Sequence, residues 1–306
     1  MEKVFITGAG GFIGKPTIEA ALKNPDWEVH ALLSRRHASN FPSEVHIHTA
    51  DLADPCACEY VMRQAAPDIL IHLAWATTED DYADAVSNLM WIENSLRLLR
   101  MFFRHGGRRF VFCGSSTEYG RPARQNAENL TAIQRSVYGE SKLAFENVCR
   151  TYCAKANHEF VSARCFTVYG ENDARIFPAI PAAIQAFGKG ERFTCKSPRN
   201  VWDFIYVDDA AEALVKIAAS NYCGVVNVGS GRPHLLENVF TEIAEKMRCP
   251  ELLSFEAHNS DVSMLVADTT ILNETIGYTC RTDISDGLDR TIAWWKAQNF
   301  RPKRRQ

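Results

Sequence analysis

No apolar run in this 306-residue chain approaches the roughly 20 residues that a bilayer span requires. The N-terminus lacks the charged-then-apolar pattern of a secretory leader, and Met1 leads almost directly into a strand-like run, so a cytoplasmic location is expected. A large excess of one charge is also missing. The formal net charge is −3, which argues against a general nucleic-acid surface, and the basic end from Arg301 to Arg305 reads as a solvated tail. Paired C-x-x-C sets are absent. Of the ten cysteines, Cys56 and Cys58 lie too close for the usual zinc pairing, and Cys149 and Cys153 share a helix face, so no metal site is expected. Without a leader, disulfides are not expected, and the cysteines read as small buried hydrophobes and free thiols. There is no internal repeat and no low-complexity linker. What is present is the composition of a globular protein, 46% hydrophobic and 23% charged, long enough for a large core and two lobes.

Lys3 to Thr7 (KVFIT) is a short apolar, β-branched run and reads as a buried strand. It runs into Gly8-Ala9-Gly10-Gly11-Phe12-Ile13-Gly14 and then a helical stretch through Leu22. Glycines at 8, 11 and 14 permit a tight turn and close backbone approach, and the helix aims free N–H groups at a phosphate. Placed between a strand and a helix this close to the start, the triplet points to a dinucleotide. A second strand is expected from Glu28 to Leu33. Where an acid would hold the ribose hydroxyls of NAD, the chain has Leu33, Ser34, Arg35 and Arg36. Arginine there can pair with a 2′-phosphate, so NADP is expected ahead of NAD; the alternative is that these are solvated loop arginines.

Val45, Ile47 and Thr49 alternate as a third strand ending at Asp51-Leu52, where the acid could accept from an adenine amino group or cap the next helix. Ile69 to Trp75 reads as a fourth strand whose end, Leu73-Ala74, would flank a cofactor, with His72 as a core histidine. An amphipathic helix is expected from Tyr82 to Arg104. A fifth strand from Phe110 to Cys113 empties into Gly114 to Gly120, and a sixth spans Phe160 to Phe166. Repeated strand-helix alternation implies a doubly wound parallel sheet covered on both faces, with ligands at the strand carboxyl ends. After Phe166, Trp202 to Val207 reads as a strand, Asp208 as the cap of a helix to Ser220, and Val225 to Val228 as another strand. The expected division is a dinucleotide-binding domain over 1–170 with a return segment at about 201–225. A smaller α/β substrate lobe would take 171–200 and 226–306.

Tyr138 and Lys142 lie four apart in SVYGESKLAFENVCR, one above the other on a helix face. A phenol with a free pKa of about 10 becomes useful for proton transfer when an ammonium beside it favours the phenolate. The helix is expected to turn Leu143, Val148 and Tyr152 inward while Glu140, Lys142 and Glu146 supply charge.

The ordered motifs TGAGGFIG (Thr7 to Gly14), ADLAD (Ala50 to Asp54), HLAW (His72 to Trp75), SSTEYG (Ser115 to Gly120), Tyr138-x-x-x-Lys142, RCFTVYG (Arg164 to Gly170) and WDFIYVDDAAEA (Trp202 to Ala213) span nearly the whole chain. In these the chain resembles the extended short-chain dehydrogenase/reductase family, in its nucleotide-sugar epimerase/dehydratase group. The resemblance implies a Rossmann fold, a homodimer through the helices near 82–104 and 136–154, and a Ser115, Tyr138, Lys142 catalytic set. It implies that Gly8, Gly11, Phe12, Ile13, Gly14, Asp51, Leu52, Leu73, Ala74 and Asn88 contact the cofactor. Ser116, Thr117, Thr167, Arg199 and Trp202 fall where substrate would bind. The chain departs from the family at Thr167, where an asparagine is usual, and at Trp202 and His258, where arginines are usual; Arg199 or Arg175 could compensate. Dehydratases carry an Asp-Glu pair where this chain has Ser116 and Thr117, with Glu118 one position late. The expectation is NADPH-dependent reduction of the 4-keto group of a nucleotide-linked 4-keto-6-deoxyhexose. The alternatives are an NDP-sugar 4-epimerase with tightly bound NAD, a reductase of a non-nucleotide carbonyl compound, and a non-catalytic NADP-binding regulator.

Overall fold

The computed structural model describes residues 1–34, 41–77, 82–120, 136–173, 179–256 and 262–300. Arg35, Arg36, Arg175 and His258 lie outside the described residues. The first lobe runs β1 (Glu2–Thr7), α1 (Gly14–Ala21), β2 (Trp27–Leu33), β3 (His46–Thr49), α2 (Pro55–Ala65), β4 (Ile69–His72), α3 (Ser87–Arg104), β5 (Arg109–Ser115), a 3-10 turn at Ser116–Tyr119, α4 (Val137–Ala156) and β6 (Glu159–Cys165). Then follow β7 (Thr167–Tyr169), α5 (Ala179–Gly188), β8 (Phe193–Cys195), β9 (Val201–Trp202), β10 (Phe204–Tyr206), α6 (Val207–Ala219) and β11 (Gly224–Val228). The chain closes with β12 (His234–Leu235), α7 (Leu236–Met247), β13 (Leu253–Phe255), β14 (Met264–Leu265) and α8 (Ile284–Ala297).

Seven strands form one parallel sheet in the order β11-β6-β5-β4-β1-β2-β3. This is the expected doubly wound Rossmann-type arrangement. Alternate residues of each strand point to opposite faces. Val4, Ile6, Val29, Ile71 and Val111 join one core, while Phe5, Leu70, Phe110 and Phe112 join the other with residues of α2, α3 and α4. Helix α6 and strand β11 return to the first lobe. Buried Arg109 fastens them: its guanidinium donates to Glu159 at 2.9 Å and to the carbonyls of Ile217 and Tyr222, each at 2.8 Å. β11 therefore extends the returning segment to Val228.

Several local expectations are corrected. Among the described residues β3 is an edge strand, and Ile47 on it is half exposed. The strand expected from Trp202 to Val207 is broken at Asp203, whose carboxylate turns inward to accept from the backbone N–H groups of Ser230, Gly231 and Ala267. Asp208 sits inside the first turn of α6 rather than capping it; the N-cap is Tyr206 and no side chain caps the helix. On α4 the expected faces are exchanged. Val148 (54%) and Tyr152 (46%) face outward, while Lys142 and Glu146 are buried with Phe145, Cys149 and Cys153. A strand-end carbonyl takes the Lys142 ammonium and Arg164 of β6 takes the Glu146 carboxylate, which holds both inward.

Candidate active site

β1 delivers Thr7 to the carboxyl edge of the sheet, beside His72 of β4. Thr7 Oγ1 hydrogen-bonds His72 Nδ1 at 2.7 Å, and His72 Nε2 reaches Ser95 Oγ of α3 at 2.9 Å. Burial first, then the Lys142 charge, pushes the His72 imidazole down to about 3, so it is the satisfied neutral core residue expected. The glycine turn rests on this edge. Gly8 has φ +67°, and a Cβ there would lie 2.8 Å from Ala74 N and 2.9 Å from Leu73 C. Gly11 N donates to Gly8 O at 2.9 Å, and a Cβ on Gly14 would press into the carbonyl oxygens of Gly8 and Ala9. Only hydrogens fit, which leaves a bare backbone cradle at the N-terminus of α1 where a pyrophosphate could lie. Phe12 is buried and Ile13 half-buried behind it. These residues fit a dinucleotide.

Around that edge the other expected contacts divide. Leu73 and Ala74 are half-buried against the glycine turn. Asp51 is exposed, and the cap of α2 is Asp54, which accepts from the N–H groups of Cys56 at 2.9 Å and Ala57 at 3.0 Å. Leu52 is buried, its carbonyl accepting from Arg97 at 3.0 Å. Asn88 is committed to the protein itself. It accepts from Trp75 Nε1 at 2.8 Å and donates to the carbonyls of Tyr82 at 2.7 Å and Ala85 at 3.0 Å, holding the entry to α3.

Tyr138 enters from the first turn of α4, where Ser136 caps the helix by accepting from Gly139 N. Its ring packs edge-on against Trp75 and Tyr82 at 6.3 Å and 5.3 Å between centroids, and its N–H donates to Ala83 O at 2.7 Å. The Ser115 hydroxyl, at the end of β5, acts on the phenol and favours its ionised form. Ser115 Oγ accepts from Thr117 N at 3.2 Å and from Thr117 Oγ1 at 2.9 Å. Thr117 thus supports the hydroxyl, while Ser116 is buried beneath the turn.

Lys142 lies one turn further along α4. Its ammonium donates to Cys113 O at 2.7 Å and lies 4.4 Å from the Trp75 ring centroid, 4.7 Å from Phe112 and 5.7 Å from the Tyr138 ring. Burial, then Cys113 and Tyr82, pushes the Tyr138 phenol well up, while Ser115 pulls it down. The strand-end carbonyl and the aromatic faces hold the ammonium in place. Burial lowers the Lys142 pKa itself.

Below Ser115 lies a charged cluster that sequence reasoning missed. Glu118 is fully buried (0%) and accepts from Ser115 N at 2.7 Å and from Arg164 Nε at 2.9 Å; Arg164 also pairs with Glu146 through Nε at 2.9 Å and NH2 at 2.6 Å. The signal was present as the S-x-x-E spacing of a capping box, Ser115 to Glu118. Glu118 therefore faces the core and not the crevice. Beside it, Cys113 and Cys165 hold their sulfurs 3.6 Å apart; the Cys165 contact, against burial, brings the Cys113 thiol down to about 7.

In the second lobe, Thr167 donates through its N–H to Asp203 O at 3.3 Å, next to Trp202, which is half-buried between His234 and Leu265 of the neighbouring strands. Leu265 packs with Tyr119, Phe166 and Ala267, which sets this small sheet beside the Ser115 turn. Arg199 is exposed on the approach to β9. Among the described residues no group of three His, Cys, Asp or Glu side chains could hold a metal ion, and no helix is long and apolar enough to cross a membrane.

A phosphate cradle at the first strand-helix turn, with a serine-tyrosine pair at the same carboxyl edge, defines an NAD(P)-dependent enzyme of the extended short-chain dehydrogenase/reductase class. The chain belongs to the NAD dependent epimerase/dehydratase family, whose model matches residues 4–229. A UDP-glucuronate 4-epimerase of Thermodesulfobacterium geofontis is 25% identical, over 97% of this chain and 97% of the relative. Among solved structures, the UDP-glucose 4-epimerase of Thermus thermophilus in complex with NAD superposes with a TM-score of 0.83 at 24% identity, covering 96% of this chain and 99% of that one. A Pseudomonas aeruginosa protein, RMD, complexed with NADPH, superposes with a TM-score of 0.82 at 21% identity over 97% of this chain and 100% of that one.

Proposed function

We propose that this chain is a nucleotide-sugar 4-epimerase that inverts the C4 hydroxyl of a nucleotide-linked hexose. The observation that carries the reading is the bare glycine turn seated at the carboxyl edge of the sheet, where β5 also ends at Ser115 and the buried Tyr138 phenol feels the Ser115 hydroxyl. Family membership and full-length relatives described as UDP-sugar 4-epimerases support it. The backbone of Gly8 to Gly14 would hold the pyrophosphate of a nicotinamide dinucleotide, which when bound supplies hydride acceptance and return. Tyr138 would take and give back the proton of the C4 oxygen, with Ser115 sharing the charge that develops there. Trp75, Tyr82 and Phe112 wall the site with apolar surface, which strengthens each of those contacts.

A second reading, NADPH-dependent 4-ketoreduction of a 4-keto-6-deoxy sugar nucleotide, is favoured by two observations. β2 ends at Leu33 and Ser34 with no carboxylate to hold an NAD ribose, and burial keeps the Tyr138 phenol in its proton-donating form. We further read the exposed apolar residues Val86, Leu89 and Met90 at the start of α3, with Val148 and Tyr152 of α4, as the contact between two copies of the chain.

One experiment separates these readings. The purified protein is incubated with UDP-glucose, UDP-galactose, UDP-glucuronate and UDP-N-acetylglucosamine, and C4 inversion is followed by chromatography. NADPH and NADH absorbance is followed in parallel with 4-keto-6-deoxy sugar nucleotides. Inversion without net change in the dinucleotide supports the epimerase, and stoichiometric NADPH loss supports the reductase. Turnover of no nucleotide sugar in either arm refutes both. Tyr138→Phe is expected to lower turnover by at least about 10²-fold while dinucleotide affinity is kept; wild-type turnover would remove Tyr138 from the chemistry.

A further inference from the structure

Two carboxyl groups and one guanidinium are buried together directly beneath the turn that carries Ser115. Glu118 uses one oxygen to accept from Ser115 N at 2.7 Å and the other to accept from Arg164 Nε at 2.9 Å. Arg164 is anchored in turn by Glu146 of α4, so the chain Ser115–Glu118–Arg164–Glu146 ties β5, β6 and α4 into one unit. The Arg164 guanidinium also lies 4.6 Å over the Tyr119 ring, which closes the turn from the other side. Glu118 touches nothing in the crevice; it reaches the chemistry through the backbone of Ser115. A displacement of that backbone moves Ser115 Oγ away from the Tyr138 phenol, since both sit at the ends of rigid elements.

Resting on the function proposed above, we propose that Glu118 is a positioning residue that fixes the Ser115 hydroxyl against Tyr138, with Arg164 and Glu146 as its anchor. Burial, then Glu146, holds the Glu118 carboxyl well above its usual range, against the opposing pull of Arg164. Glu146 is the second carboxyl on the same guanidinium. A proton on Glu118 would leave one carboxylate against one guanidinium, the neutral sum that burial favours. Glutamine has nearly the same shape and can keep the acceptance from Ser115 N through its carbonyl oxygen, while its amide nitrogen cannot accept from Arg164 Nε. The groups facing Glu118 are Arg164 and Cys165 of β6 and Glu146, Lys142 and Tyr138 of α4.

Glu118→Gln is expected to keep kcat within about threefold, because the Ser115 N–H still finds an acceptor. Glu118→Val is expected to lower kcat about 10²-fold, the cost of a reacting group misplaced by about 1 Å, with KM and dinucleotide Kd within twofold. In a Ser115→Ala background Glu118→Val should cost nothing further, because the effect passes through the hydroxyl already removed. An additive loss, or a loss that appears in KM and Kd alone, overturns the proposal and leaves Glu118 a structural residue. Should Glu118→Val fail to fold, Glu118→Asp, too short to span Ser115 N and Arg164 together, is read the same way. Crystal structures of the wild type and of the Val or Asp variant read the claim without turnover: Ser115 Oγ should be displaced away from Tyr138 in the variant. A hydroxyl that stays in place overturns the positioning role, whereas absence of turnover in the wild type refutes only the function proposed above.

Discussion

Replacing Gly14 by alanine sets two effects of opposite sign against each other. Gly14 opens α1, and alanine is the better helix former by up to about 1 kcal/mol. Propensity alone therefore predicts a more stable protein. The steric account predicts the reverse. A Cβ at Gly14 would lie 2.7 Å from Ala9 O, and 3.4 − 2.7 leaves it 0.7 Å short of ordinary contact; it would press still harder on Gly8 O. Both obstacles are backbone oxygens of the turn itself, so no side-chain rotation relieves them. Overpacking of this kind costs about 1–3 kcal/mol, and with rigid backbone as the obstacle the upper half of that range applies. The net expectation is a loss of about 1–2 kcal/mol, or a fall in Tm of a few degrees for a chain of this size. Since the turn must splay to accept the methyl, its N–H groups lose their aim at phosphate, and dinucleotide affinity should fall at least about tenfold, or 1.4 kcal/mol. Gly190→Ala is the control. Gly190 has φ +73° with nothing within 4 Å of its Cβ position, so alanine there costs strain of about 1–2 kcal/mol and should leave binding unchanged. Thermal melts and fluorescence titration with NADH and NADPH measure both quantities. A Gly14→Ala protein that binds dinucleotide as tightly as the wild type would refute the cradle.

Two further outcomes are expected. Burial lowers His72 to about 3, so the folded state binds fewer protons than the unfolded one below the free value of 6.5, and stability falls as pH drops. Urea titrations between pH 6.5 and 4 should show a decline approaching about 1.4 kcal/mol per pH unit from this residue, and His72→Gln should flatten it; equal slopes in the two proteins would refute the assignment. Leu89→Glu combined with Met90→Glu places charge on the exposed apolar start of α3 and should give a monomer by sedimentation at concentrations where the wild type is a dimer. A wild type that sediments as a monomer throughout would remove the proposed contact.

The residues of the site were more legible than their arrangement. The strand-turn-helix at Thr7 to Gly14 could be read from sequence because its demands are local: only glycine fits where Gly8 meets Ala74 and Gly14 meets Gly8. Ser115 and Tyr138 could be named, and the Ser115 hydroxyl acts on the buried Tyr138 phenol. Lys142 could be named too, but not its contact with the sheet. The i, i+4 spacing placed it over Tyr138, but its ammonium is claimed by the Cys113 carbonyl, which helical periodicity does not know. The same ignorance inverted the faces of α4, where Glu146 is buried by Arg164 of β6.

Local sterics and period therefore settled the order of elements and the glycine cradle, because each depends on a few neighbouring residues, while the hydroxyl pair was named by the family resemblance. Tertiary packing alone decided the buried partnership of Glu118, Arg164 and Glu146, the capture of Lys142, and the exposure of β3. Those outcomes depend on groups 18 to 46 residues apart meeting out of water. There the demand for a partner outweighs the hydrophobic pattern of any single helix or strand.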